Sequence, residues 1–107
     1  MNRAILFSRR AENDLYLILN WLKKKSLRGA QNWRFALQDC LQEIAKDPNR
    51  FEKVTEASLL PQGIRQALFH TRLGNVYRII FLDEPNEVRI LRIRSPGQRG
   101  MRLRDLR

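Results

Sequence analysis

The stretch that decides the fold is Ile64–Arg94, which reads IRQALFHTRLGNVYRIIFLDEPNEVRILRIR. It contains three short runs rich in Ile, Val, Leu, Phe and Tyr, namely Ile64–His70, Val76–Leu82 and Val88–Arg94. Turn-forming residues separate these runs: a Gly-Asn pair lies in the first gap, and Asp83–Asn86 fills the second. β-Branched and aromatic residues favour strands, and loops this short join antiparallel neighbours. The stretch therefore predicts a three-stranded antiparallel meander.

A short strand and two helices are predicted upstream of the meander. Ala4–Phe7 is apolar and is followed by Ser8, a residue type that often begins a helix. From about residue 10 to 24, and again from 27 to 46, apolar residues recur at helical spacing, and Pro48 ends the second run. The predicted fold is therefore α+β with the order β-α-α-β-β-β, a helical hairpin packed on one face of a small, mainly antiparallel sheet.

Size and composition indicate one domain of an ordinary globular protein. With 107 residues, the chain can bury a core of its own, so we predict a single domain over residues 1–107. Residues 95–107 are expected to form a basic C-terminal tail that is mobile or ordered by a partner. No run approaches the roughly 18 apolar residues of a membrane span, and the first ten residues lack the apolar run of a signal peptide. We expect a cytoplasmic protein.

Positive charge is the most prominent bulk property of the chain. Twenty-one Lys and Arg residues against 11 Asp and Glu give a formal net charge of +10. Such a surface attracts polyanions, either nucleic acid or an acidic protein. Arginine also suits bidentate recognition of phosphate or carboxylate. The sequence therefore predicts a binding surface, and arginines concentrate toward the C-terminus, at Arg89, Arg92, Arg94, Arg99, Arg102, Arg104 and Arg107.

The chain resembles the RelE/ParE superfamily of small bacterial toxins, which belong to type II toxin–antitoxin systems. Residues Ala11–Ile18, AENDLYLI, look like the first helix of the family, and a Trp-Leu pair at 21 and 22 continues it. Ile64-Arg65 and Val76–Phe81 are similar to the central strands, and Val88–Arg94 resembles the last strand. The resemblance runs from Ala4 to about Arg99 and rests on the order of these segments, since no single motif is diagnostic.

The resemblance implies one of two activities. One branch of the superfamily consists of ribosome-dependent messenger RNA endoribonucleases, and the ParE-like branch inhibits DNA gyrase without being an enzyme. Arg78 matches the sheet arginine of the ribonucleases, and Arg99 matches a second one. RNA cleavage also needs residues that carry protons, yet no Tyr, His, Lys or Cys follows Tyr77, and arginine is a poor proton carrier. The ParE-like function is therefore favoured, with the ribonuclease as the alternative and Arg78 and Arg99 as its only catalytic candidates.

The resemblance further implies a small antitoxin partner with an acidic segment that wraps the toxin. Strand alternation predicts that Arg78 lies opposite the core face occupied by Tyr77. It also predicts that Arg92 and Arg94 share a face with Val88 and Ile90 as a mixed basic and apolar strip. We expect the acidic segment to cross the sheet face carrying Arg78, Arg92 and Arg94 and to grip the helical hairpin. The residues predicted to bind antitoxin or target are Arg78, Arg92, Arg94 and Arg99.

Other side chains favour structural roles. His70 ends a strand beside Phe69 and is expected to be structural. Trp33 and Cys40 are expected to be buried, whereas the sequence is compatible with either a buried or an exposed Trp21. No His, Cys or carboxylate pair has metal-ligand spacing, and no Gly-rich phosphate loop is present, so we predict no metal and no cofactor. A further alternative is a basic nucleic-acid-binding module without toxicity, although the sequence has no helix-turn-helix spacing and no strand aromatics arranged to stack bases.

Overall fold

The computed structural model describes residues 2–54, 63–71, 74–97 and 103–106. The fold is α+β in the predicted order, with two helices on a four-stranded sheet. The elements are β1 (Ala4–Phe7), α1 (Arg9–Lys25), α2 (Leu27–Lys46), β2 (Ile64–His70), β3 (Val76–Asp83) and β4 (Glu87–Arg94), with short 3-10 turns at Pro48–Arg50 and Leu103–Leu106.

Two serines set the bounds of the helices. The Ser8 hydroxyl accepts a hydrogen bond from the Ala11 backbone N–H at 3.1 Å, and the Ser26 hydroxyl accepts one from Gly29 at 3.0 Å. The Ser26 N–H also donates to the Leu22 carbonyl oxygen at 2.8 Å. One residue therefore ends α1 and begins α2, because its backbone closes one helix while its side chain satisfies a free N–H of the next.

The sheet is mixed, with the strand order β1-β4-β3-β2. The pairs β2–β3 and β3–β4 are antiparallel, which confirms the predicted meander. β1 pairs with β4 in parallel. Parallel strands need a long crossover connection, and the chain between β1 and β4 includes the helical hairpin. The sequence had not predicted which strand β1 would join.

The helices cover one face of the sheet, called here the inner face. Trp33 of α2 lies in this core, as predicted, with its ring centroid 5.9 Å from that of Phe69 and 5.6 Å from that of Tyr77. Ile79 and Phe81 of β3 are fully buried there as well. The opposite or outer face carries a smaller apolar cluster, made of Val54, Ile64 and Ile80 packed against Leu82, Leu91 and Leu106.

A bulge interrupts the pairing of β4 with β3. Phe81 pairs with Ile90, but its neighbour Ile80 pairs with Arg92, so Leu91 has no register partner. An extra residue of this kind shifts the alternation of side chains by one position. Leu91 and Arg92 therefore both belong to the outer side of the sheet, where Leu91 joins the outer apolar cluster.

The bulge corrects the predicted placement of the β4 arginines. Val88 and Ile90 are fully buried in the inner core. Arg92 lies opposite outer-face Ile80, and Arg94 lies opposite Arg78. The prediction that these two arginines share a face with Val88 and Ile90 is wrong, because it assumed a regular strand. The same bulge places them on the outer face that carries Arg78.

Part of the C-terminal tail is ordered against the sheet. Leu103–Leu106 form a 3-10 turn, and Leu106 packs on the outer apolar cluster. The Asp105 carbonyl oxygen accepts a hydrogen bond from Arg92 Nη1 at 2.9 Å. For these four residues the expectation of a mobile tail is wrong, since the strand arginine and an apolar contact hold the turn in place.

Candidate partner-binding surface

The outer face carries three of the arginines named from the sequence, and two of them lie opposite each other. Arg78 and Arg94 are register partners on β3 and β4, and Arg94 is only 5% exposed. Arg78 is half-buried and donates from Nε and Nη2 to the Gln66 amide oxygen at 3.0 and 2.7 Å. Gln66 Nε2 in turn donates to Glu52 Oε1 at 2.9 Å. Arg99, the fourth arginine of the set, lies outside the described residues.

Arg92, the third arginine, is tied to α1. Its Nε donates to Asp14 Oδ2 at 2.7 Å and its Nη2 donates to Asp14 Oδ1 at 2.9 Å. The side chains of Arg92 and Asp14 are 13% and 11% exposed. This two-pronged geometry is the strongest arrangement of an arginine with a carboxylate. In the structure, the guanidinium of Arg92 thus joins the first helix to the last strand.

The first turns of α1 also close an open strand edge. β1 pairs with β4 only as far as Ile90. Beyond that point the Ser8 hydroxyl donates to the Leu91 carbonyl oxygen at 3.0 Å, and the Ile93 N–H donates to Asp14 Oδ2 at 2.9 Å. Unpaired strand edges invite pairing with other chains, so Ser8 and Asp14 protect β4 where its neighbour strand ends.

Sequence reasoning missed this role of Asp14, although a signal for it was present. Asp14 lies three residues after Ala11 and four residues before Ile18, and both of these are buried. Residues at these spacings occupy one face of a helix. A carboxylate on the buried face of α1 needs a buried partner, and the arginines of the last strand were the abundant candidates.

The helical hairpin carries a second feature that sequence reasoning missed. Phe35 is 57% exposed, although its phenyl ring is apolar. It borders a groove of about 380 Å³, which Leu15, Leu19 and Leu41 also line, together with Arg34. Exposed apolar surface rimmed by polar groups is typical of a protein-binding site. The sequence signal was Phe35 itself, which falls outside the buried stripe of α2. Other exposed apolar side chains of the helices are Tyr16, Leu17, Trp21 and Leu27.

Tyr77 and Cys40 lie away from the arginine pair. The Glu52 carboxylate, by contrast, accepts a hydrogen bond from Gln66, the partner of Arg78, and His70 shares a strand face with Leu68, the register partner of Arg78. Tyr77 is buried on the inner face, where burial raises the pKa of its hydroxyl. His70, the only histidine of the chain, is exposed at the end of β2 and pairs in register with Val76. Cys40 is buried, as predicted, and burial followed by the nearby Glu43 carboxylate raises the pKa of its thiol to about 11. Among the described residues, no cluster of His, Cys, Asp and Glu could hold a metal ion.

Within the described ranges, no helix is both long enough and apolar enough to cross a membrane. A comparison with curated proteins finds no match. A solved structure described as the chromosomal ParDE TA system from P. aeruginosa is similar in fold, with a TM-score of 0.61 and 17% sequence identity. The similarity covers 89% of this chain and 97% of that one.

The family described as the ParE toxin of the type II toxin-antitoxin system parDE matches residues 5–100 of this chain. That span includes both helices, β2, β3, β4 and all of β1 except Ala4. The matched segment also contains Asp14, Arg78, Arg92 and Arg94, the residues that join the helices to the sheet and form its basic outer face. The chain therefore belongs to the ParE family of toxins of type II toxin–antitoxin systems.

Proposed function

We propose that this ParE-family toxin arrests bacterial growth by inhibiting DNA gyrase, without catalysing a reaction, and that an acidic antitoxin neutralises it. The observation that carries the choice of gyrase over RNA cleavage is the make-up of the outer face. Arg78 and Arg94 lie opposite each other there, whereas Tyr77 is buried on the inner face. After Tyr77 the sequence contains no further Tyr, His, Lys or Cys.

This make-up suits binding better than acid–base chemistry. Cleavage of RNA requires a group that takes a proton from the 2′-hydroxyl and another that protonates the leaving oxygen. Arginine stays protonated at neutral pH, and Gln66, which holds the Arg78 guanidinium, is an amide. The carboxylate of this chain of hydrogen bonds, Glu52, bonds to Gln66 and is one residue removed from Arg78. Fixed guanidinium groups instead recognise carboxylates or phosphates. We propose that Arg78, with Arg99, contacts target or antitoxin. Arg92 and Arg94, which are nearly buried, are proposed to contribute their charge to this face from below its surface.

The test of this proposal switches on the chain in bacteria without its antitoxin and maps messenger RNA 5′ ends within minutes. We expect growth arrest with intact transcripts, and inhibition of supercoiling when the purified full chain is added to gyrase. New 5′ ends within codons of translated messages would reassign the chain to the ribonuclease branch. Growth without arrest, together with tight binding to bare nucleic acid, would support the non-toxic binding module.

The antitoxin is proposed to cross the outer face and to grip the hairpin groove that Phe35 borders. The apolar walls of the groove suit the apolar side of an amphipathic segment, and Arg34 at its margin suits the acidic side. The net charge of +10 favours an acidic partner over a basic one, because opposite charges steer the encounter and set the register.

A matched pair of substitutions tests the groove. Phe35→Glu places a carboxylate in it, and Leu27→Glu places the same charge at the start of α2, where the side chain is exposed and does not line the groove. We expect Phe35→Glu to weaken binding of the co-encoded antitoxin by about tenfold or more and Leu27→Glu to change it less than about threefold, as for a hot spot and a rim position. Equal affinities of the two variants, measured by calorimetry, would remove the groove from the proposal.

A further inference from the structure

A buried glutamine of β2, Gln66, lies between a carboxylate and the outer-face arginine Arg78. Gln66 is 6% exposed, and its amide oxygen accepts hydrogen bonds from Nε and Nη2 of Arg78 at 3.0 and 2.7 Å. Its amide nitrogen donates to Glu52 Oε1 at 2.9 Å. A buried amide must be hydrogen-bonded to avoid a cost in desolvation, and both ends of this one are bonded to charged groups.

These two partners allow only one orientation of the Gln66 amide. A carboxylate only accepts hydrogen bonds, and a guanidinium only donates them. The amide nitrogen must therefore face Glu52, and the amide oxygen must face Arg78. The reverse orientation would place acceptor against acceptor at one end and donor against donor at the other.

The backbone also holds Glu52 beside Gln66. The Gln66 N–H donates to the Glu52 carbonyl oxygen at 3.0 Å, and the Val54 N–H donates to the Ile64 carbonyl oxygen at 3.3 Å. Residues 52–54 thus run along the edge of β2, with Val54 buried in the outer apolar cluster. The Glu52 carboxylate extends from a fixed backbone position, although the residue itself is exposed.

The neighbours of Arg78 on the sheet explain why its position needs support. Gln66 pairs with Ile80, and Arg78 pairs with Leu68, so Gln66 and Arg78 are diagonal neighbours within reach of long side chains. On its other side Arg78 lies opposite Arg94, and like charges in opposite positions repel. The Gln66 oxygen draws the guanidinium toward β2, and because an amide is neutral, it adds no negative charge of its own beside Arg78.

We propose that Gln66 is a positioning residue, which holds the Arg78 guanidinium in the orientation required to bind a carboxylate or phosphate of its partner, and that Glu52 sets the direction of the Gln66 amide. This inference rests on the proposed contact of Arg78 with target or antitoxin. A side chain that is already ordered loses less entropy on binding, which is worth about threefold to tenfold in affinity.

Arg78→Gln first identifies the partner that this arginine contacts. Affinity of the full chain for the co-encoded antitoxin is measured by calorimetry, and inhibition of purified gyrase is measured by a supercoiling assay. We expect at least one of the two to weaken by about tenfold or more, as for a lost hydrogen bond to a charged group. The remaining variants are measured with that partner.

Glu52→Gln separates positioning from simple electrostatics by the sign of its effect. The substitution removes a negative charge from the outer face, which by itself would strengthen the attraction of an acidic partner. The new amide can accept or donate, however, so the Gln66 amide loses its unique direction. We expect the partner to bind about threefold more weakly. Glu12→Gln removes the same charge from an exposed position on α1 and should not weaken binding.

Gln66→Leu, measured with and without the arginine, separates positioning from a general effect on the fold. It should weaken the partner by about threefold to tenfold in the native background. In the Arg78→Gln background it should change binding by less than about twofold, because nothing is left to position. Such non-additivity is the signature of two residues that act together.

An equal effect of Gln66→Leu in both backgrounds would overturn the proposal, and so would unchanged or tighter binding by Glu52→Gln. If Gln66→Leu fails to fold, Glu52→Gln in the same two backgrounds still decides, since Glu52 is exposed. If Arg78→Gln weakens neither partner, the proposed contact of Arg78 fails and this inference fails with it. If Arg78→Gln weakens a partner and the Gln66 and Glu52 variants do not, only the positioning role fails.

Discussion

At the scale of single residues, Asp14 has the most consequential contacts. Its carboxylate accepts two hydrogen bonds from the Arg92 guanidinium and a third from the Ile93 backbone N–H. Both side chains of the pair are nearly buried. A buried ion pair stabilises a fold little more than an apolar pair of the same shape does. Removing one partner, however, leaves the other charge buried and uncompensated, which is strongly destabilising. Asp14 is thus a structural requirement for the position of Arg92.

We expect Asp14→Asn to lower the free energy of unfolding by about 3 kcal/mol, because it leaves the buried Arg92 charge uncompensated. Chemical denaturation monitored by circular dichroism measures this change. Asp39→Asn is the control, since Asp39 is exposed on α2, and a substitution of that kind changes stability by about 0.5 kcal/mol or less. Equal stability of the two variants would show that the pair does not hold α1 to the sheet.

Cys40 is expected to be unreactive while the chain is folded. Its pKa of about 11 results first from burial and then from the Glu43 carboxylate. At pH 8 a thiol of that pKa is about 0.1% thiolate, whereas an unfolded cysteine with a pKa of about 8.5 is roughly a quarter ionised. Iodoacetamide should therefore modify the native chain at least about a hundredfold more slowly than the denatured chain. Similar rates would contradict the raised pKa.

The same shift has a consequence for stability at alkaline pH. The folded pKa lies above the unfolded value, so the folded state keeps its proton while the unfolded state loses it. The contribution to stability is therefore complete below about pH 8.5 and is lost as the pH rises toward 11. Cys40→Ala should remove this part of the alkaline slope in denaturation curves recorded at a series of pH values.

At the scale of elements, the bulge at Leu91 decides the character of the outer face. It keeps Ile93 in the inner core while Arg92 and Arg94 lie with Arg78. A regular strand of the same sequence would bury Arg92 against the helices and expose Ile93, at a large cost in desolvation. The same segment forms the edge of β4 that extends beyond the end of β1. Ser8 and Asp14 close this edge by hydrogen bonds to the Leu91 carbonyl oxygen and the Ile93 N–H, on either side of Arg92.

Deleting Leu91 is expected to leave a folded chain. Without the extra residue, simple alternation already directs Ile90 and Ile93 inward and Arg92 outward. The contact of Leu91 with the outer cluster and the hydrogen bond from the Ser8 hydroxyl to the Leu91 carbonyl oxygen are lost, which together should cost about 2–4 kcal/mol. Deletion of Ile80 from β3, which has no extra residue, is the contrasting variant.

Ile80 deletion moves Phe81 from the core to the outer face, and a shift of this kind reverses every later side chain of the strand. We expect that variant to be unfolded or insoluble. Amide NMR spectra and thermal unfolding distinguish the two deletions. If the Leu91 deletion variant is as unfolded as the Ile80 deletion variant, the bulge must contribute more to folding than the correct alternation of side chains.

At the scale of the whole molecule, the uncompensated charge of +10 is the dominant property. Some arginine side chains are nearly buried, as in the Arg92–Asp14 pair, and others lie at the surface. Surface charge acts over about 10 Å at 0.1 M salt. Its effect should therefore appear in the rate at which an acidic antitoxin finds the toxin rather than in the strength of the final contacts.

We expect the association rate constant with the antitoxin to fall by about tenfold between 0.05 and 0.5 M salt, while the dissociation rate constant changes by less than about threefold. Surface plasmon resonance or stopped-flow fluorescence separates the two constants. The Phe35→Glu variant should show the opposite pattern, with most of its effect in dissociation, because contacts at the centre of an interface act mainly there. A salt-independent association rate would argue against an acidic partner.

The sequence alone determined the element order, the bounds of the helices and the antiparallel meander. These features are encoded locally: apolar spacing marks the buried face of α2, serine begins the helices, and the Gly-Asn pair and Asp83–Asn86 mark turns. The burial of Trp33 also followed from spacing. Each feature requires information from a few neighbouring residues, which is why a single sequence was sufficient.

The tertiary structure alone decided how distant segments meet. The parallel pairing of β1 with β4, the bulge at Leu91, and the Asp14–Arg92 pair all join residues far apart in the chain or depend on a neighbouring strand. Strand alternation read from the sequence cannot show an inserted residue, because the partner strand defines which residue is extra. The outer-face arginines could therefore be named from the sequence and expected on one sheet face, but the bulge that places Arg92 and Arg94 there became evident only from the assembled sheet.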